Sequence, residues 1–170
     1  MDEAPSNVLL TFLKRDALVN DHTSSVWPCF IGFMPDDSNS TPKERLCLYD
    51  TGGITRSKLS NGVVVQYPSI QIMIKGAGYL ETHQKLVTIR NKIDSYKYDY
   101  VKLGDNYYAI LNAKRSSPIL PLGKDMGTKR LFVFTLNYNI SLAIVNEDGT
   151  AIQGSEDLHT LIHTTFPAMF

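Results

Sequence analysis

The sequence predicts an α+β fold, and three observations predict it. A period-two strand followed at once by an amphipathic helix occupies residues 67–96. A second long alternating segment spans residues 131–142. Strands and helices are also grouped along the chain, and this order favours α+β over a repeated parallel βα unit.

The first 44 residues predict a helix, an edge strand and a loop. Ser6 is expected to cap a helix that runs to about Asn20, and its apolar stripe is Val8, Leu9, Phe12, Leu13 and Ala17. Residues 26–34 are apolar throughout, but Pro28 and Gly32 favour an edge or bulged strand. Residues 35–44 are polar and predict a loop.

Residues 45–66 predict two short strands joined by a mobile connection. The first strand covers residues 45–49 and leads into a turn at residues 50–53, which end in Gly52 and Gly53. Strand character returns at residues 63–66. Pro68 cannot donate a ladder hydrogen bond, so it predicts a bulge or a sheet edge.

The strand and helix within residues 67–96 form the centre of the predicted fold. Ile70, Ile72 and Ile74 alternate with polar or flexible side chains, and Gly76 and Gly78 then break the strand. The helix that follows carries an apolar stripe at three-, four- or seven-residue spacing: Tyr79, Leu86, Ile89, Ile93 and Tyr96. We expect this helix to fold back over the isoleucine face of the strand.

The remaining segments predict two more strands around a basic stretch. Residues 97–106 predict a loop, 107–112 a strand, and 131–142 a central strand. Ser155 is expected to cap a short C-terminal helix. Residues 114–130 hold one acidic and five basic residues, and this stretch is either a solvated hairpin loop or a partner contact. The partner-contact candidates are Lys114, Arg115, Lys124, Lys129 and Arg130.

Composition excludes several classes of protein. With 170 residues, 43% apolar and 20% charged, the chain predicts one domain over residues 1–170. Its 17 basic and 17 acidic residues give no sign of a nucleic-acid or membrane surface. The N-terminus is acidic and no apolar run approaches a membrane span, so we expect neither export by a signal peptide nor insertion. Cys29 and Cys47 predict two buried thiols in a reducing compartment.

Two motifs call for a chemical interpretation. His159 and His163 have the spacing of metal ligands on one helix face, but no glutamate base lies between them and no third ligand lies nearby. We therefore expect no metal and no cofactor.

Apolar residues leading into Asp50, Thr51 and Gly52 resemble the active-site turn of aspartic proteases, in which paired carboxylates share a proton. A retroviral-type protease using Asp50 is one alternative interpretation, although the long central helix fits that almost wholly β fold poorly. A peptide-binding module that uses an exposed strand edge is a second alternative.

The same residues fit another family when they are taken together. The order is a Tyr-Asp-Thr-Gly-Gly segment, a Tyr-Pro-Ser-Ile-Gln-Ile-Met-Ile-Lys-Gly strand, and a tyrosine-bearing helix that ends in Ile-Arg-Asn-Lys-Ile. In this order and spacing the chain resembles the tail terminator family of long-tailed bacteriophages, whose members are sometimes labelled minor capsid proteins. The resemblance extends from the N-terminal helix through residue 142. The long segment 114–130 and an extension from about residue 147 depart from it.

The resemblance implies a structural protein with no catalytic residues. It implies a mixed, mostly antiparallel sheet flanked by helices. It also implies a six-membered ring of identical subunits on the head-proximal end of the tail tube, where the ring stops tube growth. The implied partners are further copies of the chain, the major tail tube protein and a head-completion or connector protein, with DNA passing through the ring. The implied location is the virion, after assembly in the host cytoplasm.

Overall fold

The computed structural model describes residues 3–58 and 64–147, with the backbone alone at residues 54–58 and 64. These ranges form two helices and seven strands, which confirms the predicted α+β class. The elements are α1 Pro5–Arg15, β1 Cys29–Ile31, β2 Arg45–Lys58, β3 Val64–Gly76, α2 Tyr79–Ser95, β4 Asp99–Leu103, β5 Asn106–Arg115, β6 Leu120–Lys124 and β7 Phe132–Val145.

The strands form one mixed, mostly antiparallel sheet in the order β1-β2-β3-β7-β5-β4. Only β1 and β2 pair in parallel among the described strands. Strand β6 pairs with the first residues of β7, beyond the end of β5. The predicted central strand is confirmed, because β7 lies between β3 on one side and β5 and β6 on the other.

Both helices contribute to one apolar core with the isoleucine face of β3. Ile70, Ile72 and Ile74 have no exposed surface, and they share a buried cluster with Leu86, Ile89 and Ile93 of α2 and with Val8, Leu9, Phe12 and Leu13 of α1. Each such side chain contributes about 1.5–3 kcal/mol relative to its exposed state. The predicted packing of the central helix on its preceding strand is therefore confirmed. Cys29 and Cys47 are buried free thiols, as predicted.

Helix α1 begins and ends differently from the prediction. Ala4 occupies the cap position and Pro5 the first turn, so Ser6 is not the capping residue. Instead, Ser6 N and Oγ donate to the Asp50 carboxylate at 2.9 and 2.7 Å. Asp50 thus binds a free backbone N–H at the positive end of the helix dipole. The helix ends at Arg15 rather than near Asn20, because Ala17 adopts a positive φ of 53°.

We expect Asp50→Ala to lower the free energy of unfolding by about 1 kcal/mol, since it removes both acceptors at the start of α1. Asp50→Asn keeps one acceptor oxygen and loses the charge, so its loss should be smaller. Urea unfolding of the two variants and the wild type measures the difference. Equal stability of all three proteins would contradict this capping role.

The predicted turn at residues 50–53 is wrong. Strand β2 continues through it to Lys58, with a register shift between Asp50 and Gly52 against β3. Gly52 and Gly53 both have φ 117°, a conformation that lets the strand bulge without reversing. Pro68, opposite Gly53, is not on a sheet edge either, because β3 is an interior strand. The β3–β7 pairing skips residues 67 and 68, so the missing proline N–H breaks only a local part of the ladder.

Two predicted loops contain strands. Residues 99–103 form β4 in a hairpin with β5, joined by a turn in which Gly104 has φ 61°. The basic stretch 114–130 begins inside β5 and contains β6, so it is not a loop throughout. The sequence pattern did not predict β4 and β6 because their strand signals are weak. Pairing with the longer strands β5 and β7 stabilises them.

Residues 35–44 form the predicted loop, but a buried side chain anchors it. Arg45 has no exposed surface, and its guanidinium donates to Asp37 and to the carbonyl oxygens of Pro35 and Pro42, the latter two at 3.2 and 2.8 Å. Desolvation acts to raise the pKa of Asp37, but the hydrogen bond and charge of Arg45 hold that pKa below its usual value.

Several predictions fall outside the described residues. These are the C-terminal helix after Ser155, the His159 and His163 pair, and the extension from about residue 147. The single domain over residues 1–170 stays a prediction.

Candidate assembly surface

The five basic candidates lie in two groups. Lys114 and Arg115 are at the end of β5, and the other three, Lys124, Lys129 and Arg130, surround the turn between β6 and β7. Lys114 is paired opposite Asn139 and Arg115 opposite Tyr138, so the two point to opposite faces of the sheet. The stretch therefore does not present one continuous basic patch.

Two of the five cations contact other parts of the same subunit. Arg115 Nε lies 3.3 Å from Asp94 Oδ2 near the end of α2. Tyr138 donates its hydroxyl to the other oxygen of Asp94 at 2.8 Å, and burial together with this bond raises the tyrosine pKa. Lys129 donates to the Thr41 carbonyl oxygen in the loop anchored by Arg45. Their charged groups are thus already engaged within the chain.

The other three cations face outward. Lys124 Nζ lies 4.6 Å from the centre of the Phe132 ring. Lys114 and Arg130 are exposed and form no ion pair with any residue in the described ranges. Nearby, Lys75 Nζ and Asp125 Oδ2 are 2.8 Å apart, which fixes the start of the β6–β7 turn. Lys124 and Arg130 flank that turn, and neither makes an ion pair within the described residues.

An exposed apolar segment accompanies these cations. All five residues of β6 are exposed, and we call this segment, Leu120–Lys124, the β6 edge. Leu122 is 55% exposed, and Met126 just beyond the edge is 100% exposed. The sequence shows the apolar residues at 119, 120 and 122, but periodicity does not reveal that two of them remain at the surface.

A groove lies beside the first turns of α2. It has a volume of about 820 Å³, and we call it the Trp27 groove after the side chain that lines it together with Leu80, Glu44, Glu81, His83 and Lys85. Leu80 is 77% exposed. Lys85 Nζ lies 5.4 Å from the centre of the Trp27 ring, and desolvation lowers the lysine pKa. Leu80 lies outside the apolar stripe of α2. An off-stripe position on an amphipathic helix indicates an exposed side chain, so the sequence alone could have identified this leucine.

The geometry gives no support to catalysis by Asp50. Its carboxylate lies within continuous strand β2 and accepts the two hydrogen bonds from Ser6, so it is neither in a turn nor free to activate water.

The described residues contain no group of three potential metal ligands. No helix within the described ranges is long and apolar enough to span a bilayer.

Comparison with protein families decides the assignment. Residues 12–144 match the family model described as bacteriophage tail terminator protein. The chain belongs to the bacteriophage tail terminator family. The match covers most of the chain, from the last four residues of α1 to all but the last residue of β7.

The fold of this tail terminator also matches a solved structure titled "Virion of native gene transfer agent (GTA) particle". The TM-score is 0.50 at 10% sequence identity, over 82% of this chain and 95% of that chain. At this identity the likeness shows the shared fold alone. Among curated proteins, no sequence matches.

Family membership confirms the prediction of a structural protein. The tail terminator family is structural and non-enzymatic, and its members are components of the virion. The protease alternative is therefore wrong, in agreement with the position of Asp50 in a continuous strand. The role of the five basic candidates as partner contacts stays a prediction.

Proposed function

We infer that six copies of this tail terminator form a ring on the head-proximal end of the tail tube. The ring stops tube polymerisation and forms part of the interface with the head. Membership of the tail terminator family is the observation that carries this proposal. The partners are the major tail tube protein below and a head-completion or connector protein above, and DNA passes through the lumen without specific binding.

Subunit size is compatible with such a ring. A compact chain of 170 residues has a radius of gyration of roughly 15 Å, hence a diameter of about 40 Å as a sphere. Six touching spheres enclose a hole of about the same diameter, which leaves room for loops and for duplex DNA. The balanced charge of the chain agrees with a lumen that does not hold DNA tightly.

Stopping tube growth requires two unlike faces. A tube grows by repeating one heterologous contact, and each added ring recreates the surface that accepts the next. A terminator stops this growth if one face of its ring matches the tube end and the other face does not reproduce it. Lys114 and Arg130, which make no ion pair within the described residues, are proposed to contact the tube or the head-completion protein.

Electron microscopy of purified protein mixed with tail tubes tests this function. We expect a ring at one end of each tube and no ring along its length, with the free protein remaining a monomer or weak oligomer because the tube end acts as template. Tubes without rings, or a stable isologous dimer across a wide concentration range, would contradict the proposal.

A further inference from the structure

The three strands at the centre of the sheet carry no acidic residue. Strands β3, β7 and β5 are neighbours and are 13, 14 and 10 residues long. The chain has 17 aspartate and glutamate residues, and none of them lies in these three strands. The centre of the sheet is therefore free of the fixed negative charge that would repel a polyanion.

One face of these strands is polar and open. Both described helices pack on the other face, where Ile70 and Ile72 alternate into the core. The open face presents amide and hydroxyl side chains that are paired across the strands, and none of them is buried. We call this group the polar face, and its residues are Ser69 opposite Asn139, Gln71 and Asn137 opposite each other, and Asn112 opposite Ser141.

A single charge adjoins the polar face in the register of these strands. Lys114 is paired opposite Asn139, in a row where β5 is the outermost strand because β4 begins only opposite Ile110. The lysine therefore lies at the border of the face. Protein surfaces commonly have about 25–35% charged side chains. The polar face has none among its six residues, so it differs from an ordinary solvated surface.

The polar face also lacks the side chains of a protein contact. Contacts between proteins are enriched in aromatic residues, methionine and arginine, and the six residues include none of these. Ser69 donates its hydroxyl to Asn139 Oδ1 at 2.8 Å, and Asn137 Nδ2 donates to Ser117 Oγ at 3.2 Å. Three of the six side chains are thus held by hydrogen bonds within the subunit.

From these observations we propose that the polar face lines the lumen of the ring, where duplex DNA slides past it. The inference rests on the proposed ring and adds the surface that the DNA meets. Carboxylates on that surface would repel the phosphates, and many cations would bind them with release of counterions. Amides and hydroxyls carry no net charge, so this surface neither repels the DNA nor holds it.

The width of the sheet fits this position. Neighbouring strands are about 4.8 Å apart, so the four adjacent strands β2, β3, β7 and β5 cover about 19 Å. A hole of about 40 Å gives each of six copies about 20 Å of its circumference. One sheet per copy is therefore wide enough to line the lumen, and the two helices then face outward.

Cysteine labelling of rings on tail tubes tests the position of the polar face. Asn139→Cys and Asn91→Cys replace exposed asparagines on the polar face and on α2, and the natural Cys29 and Cys47 are buried. In rings, position 139 should react with a small maleimide but not with a maleimide coupled to a bead wider than the hole. Position 91 should react with both reagents. Reaction of position 139 with both reagents, or with neither, would overturn the proposal.

A charge substitution tests what the polar face does. In a ring of six, Asn139→Arg adds six cations to the lumen, whereas the matched variant Asn91→Arg adds them on the helical side. Equal numbers of joined particles, counted by electron microscopy, should deliver DNA to host cells at least about tenfold more slowly with Asn139→Arg than with wild type. The delay should shrink as salt concentration rises, and Asn91→Arg should match wild type.

The same experiment separates this inference from the proposed function. Equal rates of delivery by all three proteins would overturn the lumenal position of Asn139. Loss of joined particles in Asn139→Arg alone would place this residue in a protein contact and would overturn it as well. If wild type itself does not join heads and tails, the proposed function fails.

Discussion

Arg45→Met is expected to lower the free energy of unfolding by about 3–5 kcal/mol. The Arg45 side chain has no exposed surface and that of Asp37 is 4% exposed. Removing the guanidinium leaves the buried Asp37 carboxylate without its ion-pair partner and removes the donor to the carbonyl oxygens of Pro35 and Pro42. The measurement is the urea unfolding midpoint at pH 7.

An exposed pair of the same chemistry provides the control. Arg15 and Asp99 are also bound, at 2.6 Å, but their side chains are 37% and 38% exposed. Solvent screens such a pair, so Arg15→Met should cost no more than about 1 kcal/mol. Equal losses from the two variants would contradict a stabilising role for the buried pair.

The pH dependence of the Arg45 effect has a definite sign. In the wild type the pKa of Asp37 is lowered, so its contribution is present above the unfolded value of about 3.9 and is lost as pH falls below it. In Arg45→Met the desolvation of Asp37 remains and acts to raise its pKa. Protonation of this carboxylate therefore reduces the loss of unfolding free energy in the variant as pH falls. The difference between wild type and Arg45→Met should therefore shrink from pH 7 to pH 4.

Gly53→Ala is expected to be at least about 2 kcal/mol more destabilising than Gly52→Ala. Both glycines have φ 117°, so each substitution carries a backbone strain of about 1–3 kcal/mol. A Cβ on Gly52 meets nothing within 4 Å. A Cβ on Gly53 would lie 2.2 Å from the Tyr67 carbonyl oxygen and 2.7 Å from Pro68 Cα, so β2 and β3 would have to separate. Paired thermal and urea unfolding of both variants measures the difference, and equal losses would contradict this close approach.

Patterns within one element predicted the fold well. The alternation of Ile70, Ile72 and Ile74 and the helical stripe through Leu86 and Ile93 depend on neighbours in sequence, and the structure confirms both. Burial of one face is enough to determine such elements.

Features that depend on pairing across the sheet were not predictable in the same way. Gly52 and Gly53 carry the composition of a turn, and only the register against β3 shows that they form a bulge. Strands β4 and β6 depend on the long strands beside them. The burial of Arg45 depends on Asp37, which comes from a loop with no periodicity.

The candidate surface was partly predictable for the same reason. The apolar residues within the basic stretch and the off-stripe Leu80 are visible in the sequence. Their exposure depends on how α2 and β6 pack in the fold, which the pattern of one segment does not show. The basic residues were identified as a group, whereas the fold divides them between two ends of the stretch and engages Arg115 and Lys129 within the subunit.

The length of tail tubes made without the protein tests the central claim most directly. We expect a null mutant of the phage to accumulate heads without tails, together with tubes that exceed the normal length or lack a defined upper end. Purified protein added to these extracts should restore joining. Tails of normal length, firmly attached to heads in the null mutant, would contradict the account.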